Sequence, residues 1–260
     1  DRATVDRATV APGPKVHARY APSVRPAPTY HPACLHLDVE PDGFQIPPGG
    51  APAWSGFADL LDVVRAWKDG LAREGLPRPR VGWYLRMDPQ IEATEGRRDA
   101  VARRYAEAFA ALRDEGDEFG THLHPLRWSP ADRLWVHDVS DPLWIRDAVE
   151  RSLDAFETWT GAPALHYRAG AGFLTEDIVD VLDQRGVVAE WSLEPMAKAA
   201  PYTSEIPTGV DTSPVRGEAV DCAGAPHEPY RPAHGDFRRI GGDDARRLTI
   251  VPVTTAPRRL

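Results

Sequence analysis

Gly116-Asp117-Glu118-Phe119-Gly120-Thr121-His122-Leu123-His124-Pro125 is the stretch on which the fold turns. A glycine stops one helix, a β-prone run follows, and proline ends it. Upstream, Arg97–Glu115 sets Val101, Tyr105, Ala108, Phe109 and Leu112 on one helical face. Before that, Arg80–Leu85 reads as a strand with Val81, Trp83 and Leu85 on one side. Strand, helix and strand in succession form the unit of a parallel sheet.

The alternation continues in both directions. Cys34–Val39 is a β-prone run, and Phe57–Glu74 puts Phe57, Leu60, Leu61, Val64, Trp67 and Leu71 on one helical face. Asp141-Pro142 opens a helix that ends before Gly161. A strand over Leu165–Arg168, a helix capped by Thr175 and ended at Gly186, and a strand over Val187–Leu193 follow. After a long irregular stretch, Leu248–Val253 is the last strand. This pattern predicts an α/β fold with a mostly parallel sheet, open or closed into a barrel, and a ligand site beyond the carboxyl ends of its strands. Residues 1–33 differ: a pentamer, Asp-Arg-Ala-Thr-Val, occurs twice, and Pro12, Pro14, Pro22, Pro26, Pro28 and Pro32 break regular structure. They read as a Pro-rich N-terminal arm ahead of one domain over 34–260.

Composition narrows the function classes. With 260 residues, 42% of them hydrophobic, and eight tryptophans, the chain can bury a core. A net charge of −8 disfavours a nucleic-acid backbone as partner. Cys34 and Cys222 make neither a metal knuckle nor a disulfide framework. No apolar run reaches the roughly 18 residues that cross a bilayer, and Asp1 onward shows no apolar signal core, so a cytoplasmic protein without a membrane partner is expected. Oligomeric state stays open.

Three clusters at predicted strand ends carry chemistry. In the first, Leu35 to Gly43, a period of two puts His36, Asp38 and Glu40 on one face. Ionisable groups inside an apolar run are costly to bury unless paired or metal-bound. In the second, His122 and His124 stand two apart and point the same way, offering two nitrogens that a carboxylate could complete to a metal site. The third is His166-Tyr167-Arg168-Ala169-Gly170-Ala171-Gly172, where Arg168 could orient a carboxylate and the glycines permit close backbone approach. Its spacing is not that of a phosphate-binding loop.

Together the clusters resemble, over about residues 34–255, the polysaccharide-deacetylase family, the NodB homology domain. The match is Asp38-Val39-Glu40-Pro41-Asp42 to its aspartate-rich first motif, Gly116–His124 to its second and Arg168–Gly172 to its third. The resemblance implies a distorted (β/α)₇ barrel with mostly parallel strands. It makes Asp38 the catalytic base, His122 the first metal histidine and Arg168 the arginine that holds the base. The chain departs from the pattern in three places. Val39 follows Asp38 where a second aspartate is usual, which leaves Glu40, or else Asp42, as carboxylate ligand. The second histidine, four residues after the first in the family, is replaced at Leu126 by His124 in role. The late Leu-x-His that protonates the leaving group has no match after Leu248–Val253; His227 and His234 precede that strand.

The expected ligand set is therefore Glu40, His122 and His124 around one divalent cation, Zn²⁺ or similar. In the competing arrangement His124 packs on Pro125 and Trp128, and Asp38 or Asp42 is the ligand. The implied reaction is metal-dependent hydrolysis of a C–N amide bond, N-deacetylation of an amino-sugar or other sugar-containing substrate, with Asp38 taking the proton of the attacking water. Trp54, Trp83, Trp128 and Trp135 are candidate stacking faces for a sugar ring. Two other readings use the same fold: an inactive barrel that binds carbohydrate or acts as a scaffold, and an amidohydrolase of a small metabolite.

Overall fold

Alternation of apolar and polar residues along short strands, met by helices with one apolar face, gives a two-layer α/β arrangement. A computed structural model describes residues 34–195, 215–217 and 221–253; the expected N-terminal arm lies outside them. In chain order the elements begin with β1 (Leu35–Val39), α1 (Ser55–Arg73), β2 (Val81–Arg86), α2 (Pro89–Glu95), α3 (Ala100–Arg104), α4 (Ala106–Asp114) and β3 (Glu118–Leu123). There follow β4 (Leu126–Ser129), β5 (Leu134–Asp138), α5 (Pro142–Thr160), β6 (His166–Ala169), α6 (Glu176–Gln184), β7 (Ala189–Glu190) and β8 (Val215–Arg216). The last are β9 (Pro232–Ala233), β10 (Asp236–Ile240) and β11 (Thr249–Ile250).

The main sheet runs β1-β2-β3-β6-β7-β11, every pair parallel. Its spatial order follows its chain order, so successive crossovers step in one direction. Right-handed crossovers that never reverse place their helices on one face, and a doubly-wound sheet would reverse instead. The mostly parallel α/β fold is thus present. Barrel closure is not: among the described residues β1 and β11 remain the two edges.

Val39, Trp83, Leu85, Leu123 and Tyr167 face the helices and form the core with residues such as Phe57, Leu61, Phe109, Val149 and Leu182. Two devices in this layer escape sequence patterning. Lys68 is 1% exposed on the inward face of α1, its Nζ 2.7 Å from both carboxylate oxygens of Asp117. Asp117 also accepts from Val81 N at 3.0 Å and Trp83 Nε1 at 2.9 Å, tying α1 to the start of β2. Trp67, expected inside, is exposed. The helix expected over 97–115 is two helices that break at Tyr105 (φ −112°, ψ 32°), whose hydroxyl donates to Trp54 O at 3.2 Å while its ring meets Phe57 edge-on.

The small sheet β4-β5-β8 and the β9-β10 ribbon were not expected from the pattern. Cys34 is exposed, Cys222 is buried, and both are free thiols. No described helix is long and apolar enough to cross a membrane.

Candidate metal centre

The register of the parallel sheet builds the site. His36 pairs with Gly82, Asp38 with Tyr84, Arg86 with His122, and His122 with Arg168. Even-numbered side chains of β1, β2 and β3 therefore share the face away from the helices. Glu40 lies one residue past the end of β1, level with Arg86. His124 lies one residue past the end of β3.

There the three expected ligands meet. His122 Nε2 is 2.8 Å from Glu40 Oε1, His124 Nε2 is 3.0 Å from the same oxygen, and the two Nε2 atoms are 3.1 Å apart. Tetrahedral ligands 2.0–2.2 Å from zinc lie about 3.3–3.6 Å apart. A shift of a few tenths of an ångström would therefore open this triangle onto a cation. Two imidazoles and one carboxylate are a donor set that suits zinc. Both imidazoles turn Nε2 inward because their other nitrogens are engaged: His122 Nδ1 lies 3.0 Å from Arg168 O, and His124 Nδ1 lies 3.3 Å from His137 Nε2. Gly170 makes the room, since a Cβ there would fall 2.2 Å from the His124 ring.

Electrostatics match this geometry. Burial opposes ionisation of Glu40, but the charge of His124 and hydrogen bonds from both imidazoles hold its carboxyl well below the usual range. Burial also opposes a charged His122, yet the Glu40 hydrogen bond and the Asp38 and Glu40 charges raise it. Burial prevails at His124 and lowers it. His137 is pushed down to about 3 by burial, then by the charges of His124 and Arg86.

Asp38 lies beside this group. Its Oδ1 is 3.2 Å from Arg168 Nε and 3.7 Å from His122 Nδ1. The Arg168 contact is an ion pair without hydrogen-bond alignment, since Oδ1 has no aligned donor. Asp42 is turned elsewhere: its carboxylate caps α1, accepting from Ser55 N at 3.0 Å and Gly56 N at 2.9 Å. His124 meets the Phe44 and His137 rings instead of Trp128.

The tryptophan expectation needs correction. Trp54, Trp83 and Trp135 are at most 3% exposed and present no stacking face. Trp128 is half-buried against Trp135. Three contributors were missed. Arg86 and Asp88 form a fully buried ion pair at 2.6 Å, and Asp88 Oδ2 also accepts from His124 N at 3.3 Å. His137 on β5 is the third. Arg86 carried a readable signal, a charge at the end of an otherwise uncharged strand on the same alternating face as Tyr84. His137 carried none, because its neighbour His124 belongs to another element.

No family model matches this sequence, and no curated protein does. Solved structures do. A candidate polysaccharide deacetylase from Mycobacterium smegmatis is 15% identical over 88% of this chain and 62% of its own, with a TM-score of 0.43. A family 4 carbohydrate esterase pseudoenzyme from Bacillus anthracis is 14% identical over 64% and 47%, TM-score 0.35. An allantoinase is 10% identical over 85% and 61%, TM-score 0.42. The chain spans less than two thirds of the length of each. With all three TM-scores below 0.5, function has to be argued from the side chains.

Proposed function

We propose that the protein is a metal-dependent hydrolase of a C–N amide bond, most specifically an N-deacetylase of an amino-sugar or sugar-containing substrate. The observation that carries the reading is the meeting of Glu40 Oε1, His122 Nε2 and His124 Nε2 within 3.1 Å. A divalent cation bound there supplies Lewis-acid polarisation of the acyl carbonyl and acidifies water. The chain's own groups do the rest. Arg168 holds Asp38 in place, its Nε 3.2 Å from Oδ1, and Asp38 accepts the proton of the attacking water. The Arg168 carbonyl orients His122 and His137 orients His124, so that both Nε2 lone pairs stay directed at one point. The sugar class rests on the sequence motifs, since the buried tryptophans lend it no support.

The test combines metal content with acetate release from N-acetylated oligosaccharides. Wild-type protein should hold about one equivalent of zinc. Alanine at His122, His124 or Glu40 should lose it together with activity, and Asp38→Asn should keep the metal and lose about 10²–10⁴-fold in rate. Full metal in the His122→Ala protein would overturn the reading.

One observation favours the non-catalytic alternative. His227 and His234 are exposed, and no hydrogen bond or ion pair joins them to Glu40, His122 or His124. Metal bound at one equivalent, without acetate release from any acetylated sugar, would favour that carbohydrate-binding role.

A further inference from the structure

We propose that Arg86 is a positioning residue of the metal centre: it holds the outer oxygen of Glu40, so that the carboxylate offers the cation one oxygen and not two. This rests on the metal-centre reading above and goes beyond it.

The need arises from the sheet. Glu40 extends from β1 and His122 from β3, so the carboxylate must reach over β2 to join the histidines. Two strand spacings are about 9–10 Å. Glu40 also sits past the last paired residue of β1, Val39, so the β1–β2 ladder does not fix its backbone. A glutamate so placed has three side-chain torsions and two equivalent oxygens. Something has to choose between them.

Arg86 is at the crossing point, in register with His122 on the strand that Glu40 passes over. Its side chain is 0% exposed. Nε donates to Asp88 Oδ2 at 2.6 Å, one terminal nitrogen bonds to the Gln90 side chain, and the guanidinium lies 4.9 Å from the Phe44 ring centroid. The Gln90 amide in turn donates to the Phe44 carbonyl oxygen. The plane of the guanidinium is thus held on several sides. NH1 is left buried with no aligned hydrogen bond, 3.5 Å from Glu40 Oε2. Asp88 cannot take it: its Oδ2 serves Arg86 Nε and His124 N, and its Oδ1 serves Ile91 N. A buried donor without an acceptor is costly, so NH1 closes on Oε2 once Oε1 is committed to the cation.

The test uses the full chain, Arg86→Met, and Gln90→Leu, which loosens the guanidinium without removing its charge. Zinc affinity is measured by competition with a chromophoric chelator, and the visible spectrum of the Co²⁺-substituted protein reports coordination number. Wild type should bind one ion. Arg86→Met should bind about 10–100-fold more weakly, with a weaker Co²⁺ absorption as the freed carboxylate becomes bidentate. Gln90→Leu should shift both readouts the same way by less. Equal affinity and an unchanged spectrum in both variants would overturn this role and leave the metal centre standing. Weaker binding with an unchanged spectrum would also overturn it, because the loss would then be of charge or fold. If Arg86→Met does not fold, Gln90→Leu decides by the same two readouts. A wild-type protein that binds no ion overturns the metal centre and this role together.

Discussion

The Nδ1 atom of His122 lies 3.0 Å from the backbone carbonyl oxygen of Arg168, one strand away in the row that carries Glu40 and Arg86. A carbonyl can only accept, so Nδ1 carries the hydrogen and Nε2 is the nitrogen available to a cation. In zinc-loaded protein, long-range ¹H–¹⁵N correlation should therefore show His122 protonated at Nδ1 and unprotonated at Nε2. A spectrum with the hydrogen on Nε2 would mean that His122 does not bind through the atom facing Glu40.

Arg168 acts on a second group through its side chain. The guanidinium Nε is 3.2 Å from Asp38 Oδ1, whereas none of its nitrogens contacts Glu40, His122 or His124. Arg168→Ala should lower turnover by about 10–100-fold, the usual effect of an outer partner, with zinc content close to that of wild type. Loss of zinc along with activity would show that Arg168 supports the ligand shell or the fold.

Sequence periodicity made the alternating strands and helices legible, because each buries one regular face. The parallel sheet followed from that alternation, but its strand order did not. At the site, the grouping of Glu40, His122 and His124 was legible because these residues sit at strand ends, where side chains two apart share a face, whereas the roles expected of Asp38 and Arg168 came from the resemblance to the deacetylase motifs. Arg86, Asp88 and His137 were not chosen. Their roles depend on which strands become neighbours, a fact carried by the register between distant segments and not by any local pattern. The same holds for the tryptophans: spacing placed Trp83 on an apolar face, but only packing shows that Trp54 and Trp135 are covered as well. The break at Tyr105 is likewise tertiary, coinciding with its bond to Trp54 across 51 residues.

Lys68 and Asp117 are a further pair of this kind, 49 residues apart and both fully buried in side chain. Removing Asp117 leaves the buried Lys68 ammonium only the partly exposed Glu115 Oε2, 3.2 Å away, as a charged partner. Asp117→Ala should therefore cost about 3–5 kcal/mol of stability, and it also strips acceptors from Val81 N and Trp83 Nε1. Lys68→Met leaves Asp117 those two donors and should cost less. Urea unfolding of the metal-free proteins checks both; equal costs would mean that the backbone and indole bonds contribute little.

Acid stability follows from the histidines, with the sign set by which state binds the proton. Burial and then the Arg168 charge lower His36 to about 4, and His137 is lowered to about 3, both from an ordinary 6.5. As pH falls below 6.5 the unfolded chain takes up protons that the native protein refuses, so stability declines until these folded values are reached. Glu40 acts with the same sign lower down, its contribution being lost as pH falls below the ordinary 4.5 toward its depressed folded value. His122 acts oppositely, because its value is raised: its contribution is full below 6.5 and is lost as pH rises through the folded value. Glu190, raised by burial to about 7, acts in the same direction as His122, but four depressed histidines, His36, His124, His137 and His166, outnumber these two and leave the first trend dominant. The urea midpoint of metal-free protein should therefore fall steadily from pH 6.5 to about 4. His36→Gln replaces a group that titrates only when unfolded with one that does not titrate, and should flatten that decline. A variant curve parallel to wild type across this window would show that His36 is protonated in the folded protein as readily as in the unfolded chain.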